Sequence, residues 1–188
     1  MSYAFIGGIP ASGKSYLAEK VAAATGAQHI ALDQTRIAML EDPGLKRWVN
    51  FLLDQNEALY WSSVTPQVHW DNLCRQSEAF WPTFEEKIKQ TMAAFPSAIF
   101  EAVNLLPHLT SKLPFSGIYL LGESQDVISE RNRKNPRWGA TQELQDKEAE
   151  VFYVWEGQFY KQEAEKFGFE VFSSATDAEK TLLRLMKN

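Results

Sequence analysis

Cysteine is almost absent: the chain has one, Cys74. A lone thiol excludes an intrachain disulfide and any zinc site built on several cysteines, and it reads as a buried thiol in a reducing cytoplasm. Long apolar runs are missing too, since no stretch approaches the roughly 20 residues that span a bilayer. The apolar opening, Tyr3 to Ala11, has no basic flank and runs directly into Ser12-Gly13-Lys14, so it reads as part of the fold and not as a signal peptide. Positive charge is in deficit. Nineteen Lys and Arg against 24 Asp and Glu give a net charge of −5, a poor overall field for nucleic acid or an anionic membrane. Repeats, low-complexity tracts and long linkers are also lacking. What remains is 45% hydrophobic and 23% charged over 188 residues, the balance of a soluble protein with a true core, sized for a single domain over 1–188.

The strongest signal lies at the start. Tyr3-Ala4-Phe5-Ile6 is a short apolar run with the character of a buried strand. It leads into Gly8-Ile9-Pro10-Ala11-Ser12-Gly13-Lys14-Ser15, a full G-x-x-x-x-G-K-S pattern. Leu17, Val21, Ala22 and Ala24 then follow at helical spacing until Gly26, a C-terminal cap. Strand, glycine-bracketed loop and helix form the context in which such a loop binds phosphate. Its glycines let backbone N–H groups turn inward around phosphate oxygens, and the helix N-terminus adds its positive end. In that arrangement Lys14 reaches the β- and γ-phosphates, the Ser15 hydroxyl is placed to hold Mg²⁺, and Tyr16 follows in the first turn of the helix.

Four further strands are expected: Gln28 to Leu32 closed by Asp33, Ser97 to Phe100 closed by Glu101, Gly117 to Leu121, and Phe169 to Phe172. A final helix runs from about Asp177 to Met186. Short apolar strands separated by helices predict an α/β fold with a parallel sheet covered on both faces.

Two segments exceed a simple crossover. Residues 41–96 read as a helical insert in two pieces, the second opened by Thr65-Pro66, and they hold Trp48, Trp61, Trp70 and Trp81. These aromatics suit a small core for the insert, a substrate pocket, or both. The second segment follows the fourth strand and carries Arg131, Arg133, Lys134 and Arg137 within seven positions. This is either a solvated basic face or a lid, 124–140, whose arginines neutralise a transferring phosphoryl group and exclude water on closing. Asp33 and Glu101 end strands on the carboxyl edge of the sheet, where ligands bind in open parallel sheets. Asp33 is a helix cap or, with Arg36 three residues on, a grip on a substrate hydroxyl and a neighbouring anion. Glu101 is a structural anion for Lys14 or an organiser of Mg²⁺ through water.

Taken together, the phosphate loop, Asp33-x-x-Arg36, helical insert, strand-end acid and arginine-rich segment resemble the adenylate-kinase-like and shikimate-kinase-like P-loop kinases over essentially the whole chain. The stretch Glu101-Ala102-Val103-Asn104-Leu105-Leu106-Pro107 also resembles the E-G-V-x-x-x-P segment of 2-phosphoglycerate kinase-like proteins, with Ala102 in place of the glycine. The resemblance implies a three-layer α/β/α P-loop NTPase fold with a five-stranded parallel sheet in the order 2-3-1-4-5. It implies ATP and Mg²⁺ at the loop, with Gly8 to Tyr16, Arg131 and Thr176 binding the nucleotide, and Ser173 to Thr176 bordering the adenine. Asp33, Arg36 and Glu101 would meet the acceptor, a small molecule phosphorylated on a hydroxyl or phosphate. Ser15 and Glu101 would serve the metal. Lys14, Asp33, Arg131 and Arg133 would be catalytic, and Pro136 breaks the helix before Arg137 is reached.

Other nucleotide-binding classes fit less well. The chain has no N-K-x-D guanine motif and no L-S-G-G-Q signature. Two alternatives remain open: a kinase of the toxin type acting on a nucleotide-sugar or macromolecule, and a binding module that hydrolyses ATP slowly and signals by closing. The residues are silent on oligomeric state.

Overall fold

A computed structural model describes residues 1–187. Its centre is a five-stranded parallel sheet in the order β2-β3-β1-β4-β5. The strands are β1 (Ser2–Gly7), β2 (Gln28–Ala31), β3 (Ser97–Glu101), β4 (Gly117–Leu120) and β5 (Glu170–Phe172). The fold is therefore the three-layer α/β/α arrangement, with the strand order that the sequence resemblance implies.

Two-residue alternation along the strands decides the layers. Ala4, Ile6, Ile99, Ile118 and Leu120 face α1 (Lys14–Thr25) and α10 (Ala175–Leu185), against Leu17, Val21, Ala178 and Leu182. Tyr3, Phe5, Phe100 and Tyr119 face the other way, onto α5 (Pro66–Ala94) and α9 (Gly157–Lys166), against Phe80, Phe84, Ile88 and Tyr160. Every one of these side chains is buried, which explains why the strands read as nearly continuous apolar runs.

Between β2 and β3 the chain passes through a 3-10 turn (Leu32–Thr35) and α2 (Arg36–Met39), then α3 (Pro43–Val49), α4 (Glu57–Ser63) and α5. The entry to α5 follows from its residues: Thr65 accepts a hydrogen bond from the Val68 N–H at 3.3 Å, and Pro66 occupies the first turn. At 29 residues α5 is about 40 Å long, so it reaches from the far end of the sheet to beyond its carboxyl edge. The Tyr3 hydroxyl anchors its C-terminal end by donating to the Phe95 carbonyl at 2.7 Å.

A short helix, α6 (Pro107–Thr110), lies between β3 and β4. After β4 come α7 (Gln125–Lys134) and α8 (Gln142–Glu150). Helix α8 continues without a break through a wider π-helical stretch, Val151–Glu156, into α9. Here the Gly157 N–H reaches the Phe152 carbonyl, five residues back. Among the described residues no helix is long and apolar enough to cross a membrane.

Strand ends differ from the sequence expectation by one residue or so, and one difference matters. The sequence places Ser173 to Thr176 in a loop. In the structure the Ser174 hydroxyl accepts a hydrogen bond from the Asp177 N–H at 3.1 Å, which caps α10 and draws Ala175 and Thr176 into its first turn.

Among the glycines, Gly8 of the phosphate-type loop makes the closest approach to a neighbouring backbone, that of β4. Gly8 has φ +121°, and a Cβ there would lie 2.1 Å from the Leu120 carbonyl oxygen. Gly26 has φ +71° with open space around it. Gly8→Ala is therefore expected to lower unfolding free energy by about 2–4 kcal/mol, against about 1 kcal/mol for Gly26→Ala, as read from urea denaturation midpoints. Equal effects would show that β4 does not constrain the loop.

Candidate active site

The loop after β1 adopts positive φ at Gly8 (121°), Ala11 (58°) and Gly13 (101°). A non-glycine residue at Ala11 in the left-handed region is uncommon and stores strain, a frequent property of ligand-binding loops. The turn is held from inside, where the Ser12 hydroxyl donates to the Ile9 carbonyl at 2.9 Å and the Lys14 ammonium donates to the same carbonyl at 2.6 Å. Gly13 precedes α1 and supplies no side-chain cap, so the first N–H groups of the helix stay available to an anion.

Lys14 is buried. Burial lowers its pKa to about 8, although Glu101 and Asp33 oppose the shift. Glu101, at the end of β3, does not pair with Lys14 directly; it accepts a hydrogen bond from the Ser15 hydroxyl at 3.0 Å. Burial pushes the Glu101 carboxyl up, but the His29 imidazole, the Lys14 charge and the Ser15 hydroxyl outweigh it and hold the group below its usual range. The outcome is an ionised carboxylate and a hydroxyl side by side at the mouth of the loop. Such hard oxygen donors suit Mg²⁺. Among the described residues no group of three or more His, Cys, Asp or Glu side chains forms a metal cage, so a cation at Ser15 and Glu101 would complete its shell with phosphate and water oxygens.

Arg131, on α7, reaches across the loop and donates to the Ala11 and Ser12 carbonyls, each at 3.2 Å. Arg133 does not join it. Two residues along the same helix it points elsewhere, and its guanidinium pairs with Asp146 of α8 at 2.7 Å. Arg137, past the break at Pro136, is the second arginine brought to the cleft. Tyr16 and Thr176 line the same cleft, which has a volume of about 660 Å³, and Tyr16 is largely exposed.

Asp33 sits in the 3-10 turn after β2. It caps no helix; its carboxylate pairs with Arg36 at 2.9 Å. Arg36 also donates to the Asn104 side-chain oxygen and lies 5.4 Å above the Phe80 ring. Asn104 is fully buried and donates to the Ser77 hydroxyl at 2.7 Å and to Gln76 at 3.1 Å, which ties Arg36 to α5. Asp33 and Arg36 open into a second cavity of about 270 Å³. Its wall includes Phe51, Tyr60, His69, Trp138, Phe152 and Glu156. Of the insert's aromatic residues, Phe51 and Tyr60 line this cavity, whereas Trp48, Trp61, Trp70 and Trp81 do not and pack in the apolar clusters, Trp70 stacking on Phe159 at 5.3 Å.

The two cavities share Asp33, Val103 and Arg137. One lies over a loop shaped for phosphate and the other is a partly apolar chamber, so a group can pass between ligands at that boundary.

The sequence reading missed His69, Glu156, Asn104 and the position of Arg137. Asn104 lies within the Glu101 to Pro107 stretch, and Glu156-Gly157 ends an aromatic-rich run, but nothing in the spacing signals a π-helical turn. His69 carried no motif.

Comparison with known proteins agrees with this geometry at the level of fold. Shikimate kinase from Acinetobacter baumannii, in complex with shikimate, superposes with a TM-score of 0.52 at 11% identity, covering 100% of this chain and 93% of its own. Deoxyadenosine kinase from M. mycoides, with bound dATP, gives a TM-score of 0.52 at 15% identity, covering 100% of both chains. The fold is that of the P-loop kinases. No family model and no curated protein sequence matches the chain.

Inorganic tripolyphosphate tests the loop alone. Arg131→Ala should weaken its binding about 10-fold or more, whereas Arg133→Ala should leave it nearly unchanged, as measured by calorimetry. Because the Lys14 pKa is lowered to about 8, its charge is present below that pH and lost above it. Affinity should therefore fall with rising pH, by up to about tenfold per unit, and Lys14→Met should remove that slope.

Proposed function

We propose that the protein transfers the γ-phosphoryl group of MgATP to a small-molecule acceptor. The observation that carries this reading is the boundary of Asp33, Val103 and Arg137 shared by the phosphate-loop cleft and the aromatic-walled cavity. A module that only bound and hydrolysed nucleotide would not need the second chamber.

In this mechanism the backbone N–H groups from Gly8 to Ser15 surround the phosphates, and Lys14 bridges β and γ by moving from the Ile9 carbonyl to phosphate oxygens. Ser15 and Glu101 would hold the Mg²⁺ that accompanies ATP, and the ion would supply charge neutralisation to the phosphate oxygens. Arg131 contacts the phosphate chain from above the loop, and Arg137 meets the transferring group at the boundary. Arg133 keeps Asp146 and positions α7 against α8. Asp33, orientated by Arg36, accepts a hydrogen bond from the acceptor hydroxyl and takes its proton as the oxygen attacks phosphorus. The P–O bond to the β-phosphate then breaks, and ADP leaves with the charge that Lys14 and Arg131 balance. Most of the acceleration comes from positioning and charge stabilisation.

Residues 41–96 act as the acceptor lobe in this reading, and 124–140 as the lid that delivers Arg131 and Arg137. Thr176 borders the adenine from the first turn of α10. Glu101 serves the metal, and any contact it makes to the acceptor is indirect. A reducing cytoplasm suits both ATP use and the single thiol, Cys74, which burial pushes up to about 12 and so keeps unreactive.

The test is acceptor-dependent formation of ADP, with labelled ATP and a pool of small molecules as acceptors. Transfer of label to a pool component supports the proposal; slow ADP release that no acceptor accelerates favours the switch alternative. Lys14→Ala is expected to weaken MgATP binding by about 10- to 150-fold. Asp33→Asn should leave that affinity almost intact while lowering transfer by about 10²–10⁴-fold. An Asp33→Asn enzyme at the parental rate would remove the proton-accepting role.

A further inference from the structure

The acceptor cavity contains a second carboxylate that the mechanism above does not use. Glu156 is buried and lies at the end of the π-helical stretch between α8 and α9. Phe152 and Glu156, four residues apart, both face the cavity from one helix. A chain of hydrogen bonds holds Glu156 in place. The Asn72 amide donates to the Tyr60 hydroxyl at 3.4 Å, the Tyr60 hydroxyl meets His69 Nδ1 at 3.1 Å, and His69 Nε2 meets Glu156 Oε1 at 2.9 Å. With Tyr60 donating to Nδ1, the imidazole carries its proton on Nε2 and donates it to Glu156. All four side chains line the cavity.

The other Glu156 oxygen, Oε2, is buried with no hydrogen-bond partner. Two further buried atoms in this wall are also unpartnered, Asp33 Oδ1 and Arg36 Nε, but they belong to a pair that compensates itself at 2.9 Å. Glu148 accepts from the Asn132 amide at 2.9 Å. Outside the Asp33–Arg36 pair, Glu156 Oε2 is the one buried carboxylate oxygen of this wall without a hydrogen-bond partner among the described residues, and the His69 imidazole at 2.9 Å sits on its other oxygen. Buried polar groups in folded proteins are seldom left in this state without a functional reason.

We infer that Glu156 Oε2 receives a hydrogen-bond donor of the acceptor, and that the acceptor is a polyol or amino alcohol with no carboxylate or phosphate on that side. One hydroxyl goes to Asp33 for transfer, and a second hydroxyl or an amino group goes to Glu156. The apolar wall of Phe51, Leu52, Tyr60 and Phe152 covers the carbon skeleton between them. An anionic group against this wall would meet the Glu156 carboxylate, whose paired neighbour, the His69 imidazole, is already engaged on Oε1 at 2.9 Å. The nearest arginines do not relieve that repulsion, because Arg36 is matched by Asp33 and Arg137 lies at the boundary with the phosphate cleft. This inference rests on the cavity being the acceptor site and narrows the acceptor from hydroxyl or phosphate to a hydroxyl bearing a second donor.

Three matched probes test it by calorimetry without nucleotide: cyclohexanol carrying, across the ring, a second hydroxyl, an amino group or a carboxylate. The diol and the amino alcohol should bind, and the hydroxy acid should bind at least about tenfold more weakly. The ratio between the two donor probes tells whether the partner is a hydroxyl or an amine. Glu156→Gln keeps the shape and removes the charge, so the gap to the hydroxy acid should shrink to about threefold or less. The rank order in the parent protein needs no variant and stands even if Glu156→Gln folds poorly. Equal or tighter binding of the hydroxy acid, no binding by any probe, or an unchanged preference in a folded Glu156→Gln protein would each overturn the inference. No phosphoryl transfer is read here, so these outcomes are separate from the fate of the kinase proposal.

Discussion

A buried ammonium organises the carboxyl edge of the sheet. Lys14 is enclosed by the loop that it belongs to, with the Ile9 carbonyl as its partner and burial drawing its pKa down to about 8. Keeping that charge requires carboxylates close by, and the sheet supplies them where β2 and β3 end, at Asp33 and Glu101. Neither is bonded to Lys14. Each has its own partner, Arg36 for Asp33 and Ser15 for Glu101, so the ammonium feels their field and remains free to change contacts. A direct salt bridge would have held Lys14 away from any phosphate.

The packing behind the loop makes this arrangement rigid. Gly8 lies so close to the backbone of β4 that no side chain fits, and Ile9 and Ser12 are buried beneath the turn. Leu120, whose carbonyl meets Gly8, is itself locked between α1 and α10 by the core on that face. The strained φ at Ala11 is thus held by its surroundings. On the opposite side Arg131 is bonded to two loop carbonyls, which joins α7 to the loop without closing its mouth.

The aromatic-walled cavity is built on a different principle. Its walls come from α4, α5 and the π-helical stretch, elements far apart in sequence that meet through aromatic rings. Tyr60, Trp61, His69, Trp138 and Trp155 form one connected cluster with ring centroids 4.9–6.4 Å apart. Such a cluster gives shape and a low dielectric, which strengthens each polar contact inside it. Polar side chains share this wall with the apolar ones, and several are orientated by a neighbour, as with Asn104 behind Arg36 and His69 behind Glu156. That combination of apolar wall and positioned polar atoms is what small-molecule sites require.

The phosphate loop, the five strands and the two carboxylates that end strands were legible in the sequence because they depend on local spacing. A glycine-bracketed loop between a strand and a helix needs only consecutive residues, and Asp33 and Glu101 are located by the apolar runs that they close. The order of the strands followed from resemblance, not from the residues. Which arginine meets the loop was decided by helix geometry. Arg131 and Arg133 are two residues apart on α7, about 200° around its axis, so one reaches the Ala11 carbonyl while the other pairs with Asp146. Asn104, His69 and Glu156 became visible only in three dimensions, since Asn104 meets Ser77 from 27 residues away and His69 meets Glu156 from 87. The sequence by itself determined the phosphate-type loop, because backbone conformation over eight residues suffices for it. Only the tertiary structure decided the aromatic-walled chamber, because burial and hydrogen-bond partners across α5 and the π-helical turn are set by packing and by no local pattern.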